Sequence, residues 1–269
     1  LNTVFQIGNL SGEEAVDTVF VELNQTFCSL AFVNSVAKSV LFIGMYTFDT
    51  FSLDKGIDDI LKIISERKYR FQNTIISPGF PEALLIPNKF YHYKSSLVNS
   101  IYNQNHFYYL TDPIAEWQLM NVYAIPVAVH KKLSEKLPLA TYIHAYTPLL
   151  KIYNGFTSDN QLSAHFIGKQ FRVLVKKQHQ VQLIQTYSYS SPMDVVYFLL
   201  KICTEFQLSQ EDTQIIISGL IDEDSALYKE LHNYFLQLHF AISTTVLMPE
   251  HEHPNHFFTS IHNLAACVL

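Results

Sequence analysis

His251-Glu252-His253-Pro254-Asn255-His256 places three histidines within six residues. Imidazole nitrogens at that density could supply part of a Zn²⁺ or Ni²⁺ site. No Cys or His pair stands at finger spacing to complete one, and Pro254 stiffens the run. A polar loop ahead of an apolar closing segment is therefore the better reading. The expectation is no metal, with His251, His253 and His256 as the alternative set. The other histidines are scattered and suit solvated or core positions.

Nucleophile patterns are absent. The chain has neither a Gly-x-Ser-x-Gly elbow nor a P-loop. Its three cysteines, Cys28, Cys203 and Cys267, are odd in number, far apart and set among apolar residues. They read as packing thiols in a reducing compartment. A two-metal nuclease would need several converging carboxylates. The first meander offers Glu22 alone, and Phe171 to Ser190 contains no acid. No catalytic residue is assigned. Tyr91-His92-Tyr93 and Phe107-Tyr108-Tyr109 could anchor a contact surface, although core packing is the ordinary use of such rings.

The bulk numbers fit this reading. The chain has 269 residues, 48% hydrophobic and 16% charged, enough for a sizeable core in one large or two modest domains. A net charge of −6 argues against a surface that neutralises nucleic-acid phosphates. No apolar run approaches the ~20 residues needed to span a bilayer. Leu1 to Leu10 lacks a charged start and a long apolar run, so no signal peptide is expected and the location is read as cytoplasmic.

The elements that must position any site come in two similar sets. Phe171 to Val175 alternates as a strand, Lys177 to Gln180 turns, and Val181 to Tyr189 is a second strand. Ser191, Pro192 and Asp194 open a helix whose stripe is Val195, Phe198, Leu199, Ile202 and Phe206. Ile215 to Ile217 is a buried strand ended by Gly219, and a second helix follows with Asp224 or Ser225 as cap. Its stripe is Leu227, Leu231, Tyr234, Phe235 and Leu238. About 141 positions earlier the order is the same. Thr18 to Leu23, Phe27 to Val33 and Val40 to Phe48 form a meander, Ile57 to Ile64 a helical stripe, and Thr74 to Ser77 a strand. Ser163 to Ile167 completes the later meander. Between the copies, Phe90 to Tyr102 reads as helix, Phe107 to Leu110 and Asn121 to Ile125 as strands, Val127 to Lys136 as helix and Thr141 to His144 as strand. A short helix over Pro148 to Tyr153 precedes a hinge at Asn154-Gly155 and Ser158-Asp159-Asn160. Thr3 to Leu10 is an edge strand before an exposed turn at Ser11 to Glu14. Phe240 to Met248 is a further strand before the closing segment. The domains are expected at 1–154 and 155–269.

A meander–helix–strand–helix unit used twice is the plan of paired ribonuclease-H-like subdomains, an α/β architecture shared by actin, sugar kinases and the 70-kDa chaperones. Tyr187-Ser188-Tyr189-Ser190-Ser191-Pro192-Met193-Asp194, Val196-Tyr197-Phe198-Leu199-Leu200, Ile217-Ser218-Gly219 and the terminal His256-Phe257-Phe258 carry a closer likeness. On them the chain resembles an uncharacterised bacterial family, a domain of unknown function with the actin-like ATPase fold. The resemblance covers chiefly the last 110 residues or so and implies a fold rather than an activity.

An actin-like ATPase needs a phosphate-binding turn in each half, usually Asp-x-Gly. Backbone N–H groups there hold phosphate oxygens, and the carboxylate holds hydrated Mg²⁺. The first turn here, Leu23-Asn24-Gln25-Thr26, has neither Asp nor Gly. The second, Ile167-Gly168-Lys169-Gln170, has a glycine and a cation but no carboxylate. Gly219 is a lone glycine where such enzymes carry a pair. Asn24, Gln25, Gly168, Lys169 and Gly219 are the cleft candidates for a cofactor, and none is expected, with ATP and Mg²⁺ as the alternative. The sequence thus points to a non-catalytic interaction or scaffold module with a degenerate nucleotide site, taking a protein partner or a second copy. An aberrant ATPase or phosphotransferase is the competing reading.

Overall fold

Alternating apolar residues and well-placed caps build the repeated unit. The computed structural model describes residues 1–8, 15–67, 71–102, 106–153 and 160–269. They divide into one unit of residues 1–154, 245–251 and 263–269 and another of 155–244 and 252–262. In the first, β1 (Asn2–Ile7), β2 (Thr18–Leu23), β3 (Phe27–Asn34) and β4 (Ser39–Thr47) precede α1 (Leu53–Glu66) and β5 (Asn73–Pro78). Next come β6 (Ala83–Pro87), α2 (Lys94–Ile101), β7 (Phe107–Ile114), β8 (Leu119–Pro126), α3 (Val127–Lys136), β9 (Thr141–Tyr142) and α4 (Tyr146–Tyr153). The second unit has β10 (Asn160–Ile167), β11 (Gln170–Lys177), β12 (Gln180–Ser188), α5 (Pro192–Phe206), β13 (Gln214–Gly219), α6 (Ala226–His232) and β14 (Leu238–Phe240). The last helix, α7, is Thr259–Val268.

The duplication is visible strand by strand. The first sheet runs β1-β4-β3-β2-β5-β9 and the second β12-β11-β10-β13-β14. In both, two antiparallel pairings lead to a central strand, and two parallel pairings follow. Even the irregularities agree: the register shifts between Phe32 and Val33 in one copy and between Val175 and Lys176 in the other. Two ribonuclease-H-like sheets are the result. The first copy adds β1 at one edge and a separate antiparallel sheet, β6-β8-β7, between β5 and β9.

Each sheet packs one face on its own helix. Ile57, Ile60 and Ile64 of α1 bury against Val19, Val21, Leu30 and Phe32. Val195, Leu199 and Ile202 of α5 bury against Leu162, Ala164, Val173 and Ile217. α5 starts as expected: the Ser191 hydroxyl accepts from the Asp194 N–H, and the Asp194 carboxylate accepts from the Ser191 N–H at 2.9 Å. Ser225 caps α6 by accepting from the Tyr228 N–H at 3.1 Å. Gly219 has φ +80, and a Cβ there would lie 2.1 Å from the Phe166 carbonyl oxygen, so only glycine fits.

Some elements differ from expectation. The strand sought over Phe240 to Met248 is Leu238–Phe240. It pairs in parallel with Ile215 to Ile217, and β13 stops at Gly219, so no ladder extends further. Leu247 instead exchanges hydrogen bonds with Lys38 and Val40. α6 ends at His232, short of the predicted stripe, because Leu238 is drawn into β14. Phe90 to Tyr102 splits into a 3₁₀ segment, Asn88–Tyr93, followed by α2. β6 follows Pro81 and ends on Pro87, and these turn signals hid it. The turn at Ser11 to Glu14 lies outside the described residues, as does the hinge except for Asn160. No described helix is long and apolar enough to cross a membrane.

Candidate functional site

The two hairpin turns carry four of the five cofactor candidates, and their chemistry differs. Asn24 joins β2 to β3 and is buried. Its Oδ1 accepts from the Thr26 N–H at 2.9 Å and from the Phe27 N–H at 2.8 Å. Its own N–H donates to the Phe27 carbonyl at 2.9 Å, and the Phe48 N–H donates to the Thr26 carbonyl at 3.0 Å. The amide thus closes an Asx turn that holds the backbone donors of its own hairpin. Gln25 is half-buried beside it.

Gly168 and Lys169 join β10 to β11. Gly168 has φ +58 at the first central position, the conformation that a tight two-residue hairpin favours. The Gly168 carbonyl accepts from the Tyr189 hydroxyl at 2.9 Å and the Lys169 carbonyl from the Tyr189 N–H at 3.0 Å. The Lys169 side chain is exposed. Gly219 pairs with Phe166, which brings it close to this turn.

One turn of strand away, the repeat puts different chemistry at equivalent positions. Glu22 faces Ser29 and Ser77 across β3 and β5. In the second copy His165 faces Arg172 and Ser218. All six are buried. His165 Nδ1 and Ser218 Oγ are 2.8 Å apart. Burial, with Arg172 and His256 adding to it, holds the His165 imidazole down to about 3, so it is neutral near pH 7.

A larger polar cluster ties β7 and β8 to the start of α4. Asp112 accepts from the Thr147 hydroxyl and the His144 N–H, each at 2.7 Å, and from the Tyr123 hydroxyl at 3.2 Å. His144 Nδ1 accepts from the Tyr146 N–H at 3.3 Å and lies 3.2 Å from the Asn121 amide nitrogen. The proton therefore sits on Nε2, which donates to the Phe80 carbonyl at 3.1 Å. Burial raises the Asp112 carboxyl despite its three donors. Sequence reading missed this cluster, because its members come from separate elements with no shared spacing. Its hydrogen bonds tie β7 and β8 to the segment that opens α4.

The histidine loop spans the boundary between the two units. His251 belongs to the first unit, and His253 and His256 to the second. His256 Nε2 donates to the Ile221 carbonyl at 2.7 Å, and its ring stacks on Phe240 at 4.0 Å. Among the described residues no three His, Cys, Asp or Glu groups are placed to hold a metal. Cys28 and Cys203 are buried. Burial pushes the Cys203 thiol up to about 11, and burial with Glu22 raises that of Cys28, so neither is activated. Tyr108 is half-exposed and stacks on His130 at 3.8 Å.

The family described as "Protein of unknown function (DUF3822)" matches residues 11–238. The chain belongs to the DUF3822 family. No curated protein matches it. Among solved structures, this DUF3822 chain is similar to a Bacteroides thetaiotaomicron protein with actin-like ATPase fold and unknown function. The TM-score is 0.76 at 15% identity, over 93% of this chain and 95% of the other. It is also similar to a chain of the PilM-PilN type IV pilus biogenesis complex, with TM-score 0.65 and 10% identity over 94% and 99% of the two chains. A third likeness is the cytoplasmic domain of EpsL, an inner membrane component of the type II secretion system of Vibrio cholerae. There the TM-score is 0.52 at 9% identity, over 94% and 95%. The DUF3822 chain has the actin-like ATPase fold.

ATP with Mg²⁺ is the pair that an actin-like ATPase would hold at turns like these. The donors of Thr26 and Phe27 are committed to Asn24. Neither turn offers a carboxylate for a hydrated cation.

Proposed function

We propose that the chain is a non-catalytic, cytoplasmic protein-interaction or scaffold module whose nucleotide turns have lost their ligand chemistry. The observation that carries this reading is the Asn24 turn. In a phosphate-binding hairpin, backbone N–H groups point at an anion. Here the Asn24 side chain takes two of them at 2.9 and 2.8 Å. A phosphate oxygen would have to displace a neutral amide that is tethered to the same turn and already buried.

The second turn supports the reading more weakly. Its glycine keeps the backbone permissive, and Lys169 offers one solvated cation, but no acid accompanies them. Use of the same fold in protein assemblies, as the PilM-PilN complex and the type II secretion component illustrate, makes a binding role reasonable for this chain. The test is calorimetry with ATP and Mg²⁺, paired with a phosphate-release assay. The expected result is no saturable heat and no release; micromolar binding with turnover would overturn the proposal in favour of an ATPase or phosphotransferase.

A further inference from the structure

A cavity of about 470 Å³ lies in the first unit, where α1 and α3 end. Its volume is within the range of small-molecule sites, about 300–1,000 Å³. Leu61 and Ile64 of α1, Leu137 just past α3 and Phe71 ahead of β5 give it apolar walls. Behind Phe71 the wall continues as a run of rings. Phe71 stacks on Phe32 at 5.3 Å, and Phe32 meets Phe42 at 5.6 Å.

The charges around this cavity are unbalanced. Lys62, Arg67 and Lys136 line it against one acid, Asp58. Asp58 is already engaged, by Lys132 at 2.9 Å, and Lys132 also holds Asp54 at 2.6 Å. Lys62 pairs with Glu66 at 3.7 Å, an exposed pair that contributes little. Among the described residues no acid pairs with Arg67 or Lys136. Two cations therefore border an apolar space with their charge uncommitted.

Arg67 is the better placed of the two. Its guanidinium lies 5.5 Å from the centre of the Phe42 ring and 6.0 Å from that of Phe32. The ring faces attract the cation and limit its motion. That contact uses the face of the guanidinium and leaves its in-plane N–H donors available. Such a fork matches a carboxylate or a phosphate with two parallel hydrogen bonds. Arg67 and Lys136 also stand at the ends of α1 and α3, where cations offset the helix dipoles. That duty needs neither an apolar cavity nor an aromatic rest for the guanidinium, and here both are present.

We propose that this cavity binds a small amphipathic anion. A short alkyl chain or single ring lies on the Leu61, Ile64, Phe71 and Leu137 walls, and a carboxylate or phosphate head rests on Arg67 and Lys136. Burial of the apolar body supplies the general affinity, and the two cations select for charge. The site is separate from the hairpin turns and stands whether or not the chain is an interaction module.

The test titrates octanoate, octyl phosphate and 4-phenylbutyrate into the full ¹⁵N-labelled chain, with octanamide and 4-phenylbutyramide as neutral counterparts. At least one anion should saturate at about 1 mM or tighter, moving the amides of Leu61, Ser65, Arg67 and Leu137. Its neutral counterpart should bind at least about tenfold more weakly. The tighter of octanoate and octyl phosphate tells a carboxylate ligand from a phosphate one. Arg67→Gln and Lys136→Gln should each weaken binding about fivefold. Ser65→Trp, from an exposed position on α1, should fill the cavity and abolish binding. Lys136 is exposed, so Lys136→Gln keeps the test valid even where loss of the Arg67 ring contacts unfolds the chain. Failure of every anion to saturate by about 10 mM, equal binding of the neutral counterparts, or shifts confined to other elements would overturn the assignment. So would wild-type affinity in both Lys136→Gln and Ser65→Trp.

Discussion

Asn24 and His165 show how single side chains set what this fold can do. Replacing Asn24 by Ala leaves the Thr26 and Phe27 N–H groups without their acceptor. The unfolding free energy should fall by about 2 kcal/mol, with Asn24→Asp losing less because it keeps the oxygen; urea titration of both variants checks this. His165 gives a pH dependence. Unfolded, it takes up a proton near its ordinary pKa of about 6.5; folded, it resists until about 3. The unfolded state binds more protons throughout that window, so stability rises with pH across it and is lost on acidification. His262, held down to about 4 by burial, acts in the same sense. Denaturation curves between pH 7 and 5 should show the loss, and His165→Gln should remove up to about 1.4 kcal/mol per pH unit of the slope. Asn24 and Lys169 could be placed on turns from sequence because hairpins have fixed spacing. The Asx bonds could not, since many residues at a turn leave the same pattern. The Asp112 cluster gave no signal at all: Asp112, Asn121, His144 and Thr147 meet only after several elements have packed.

At the scale of elements, what could be read depended on how strongly a segment's local chemistry fixed its end. α5 was predicted from Ser191, Pro192 and Asp194, and its cap forms as that triplet implies. α3 likewise spans Val127–Lys136 as expected. β14 and the end of α6 were misjudged because the apolar residues from Leu231 to Leu238 fit either a longer helix or a strand. The pairing of β14 with β13 decides it, and that partner is distant in sequence. The C-terminal cap of α5 offers a direct check on local chemistry. Gln207 is exposed and left-handed, with φ 53. Gln207→Gly should relieve that conformation and raise the unfolding free energy by roughly 0.5 kcal/mol, read as an increased Tm with unchanged circular dichroism.

For the whole molecule, duplication explains more than composition does. Two sheets share strand order, pairing sense and a register shift at the same place, yet the copies have diverged in chemistry. One closes its turn with Asn24 and carries β1 on β4; the other keeps Gly168, and among the described residues its β12 pairs in the sheet with β11. The chain has the actin-like ATPase fold, and under the proposed reading its two hairpin turns no longer serve a nucleotide. The most direct measurement follows the backbone amides of Thr26, Phe27 and Lys169 by ¹⁵N NMR while ATP and Mg²⁺ are added to millimolar excess. The account predicts that their resonances stay in place. Saturable shifts at Thr26 and Phe27 at micromolar nucleotide would contradict it, because the Asn24 oxygen would then have yielded its donors to a phosphate.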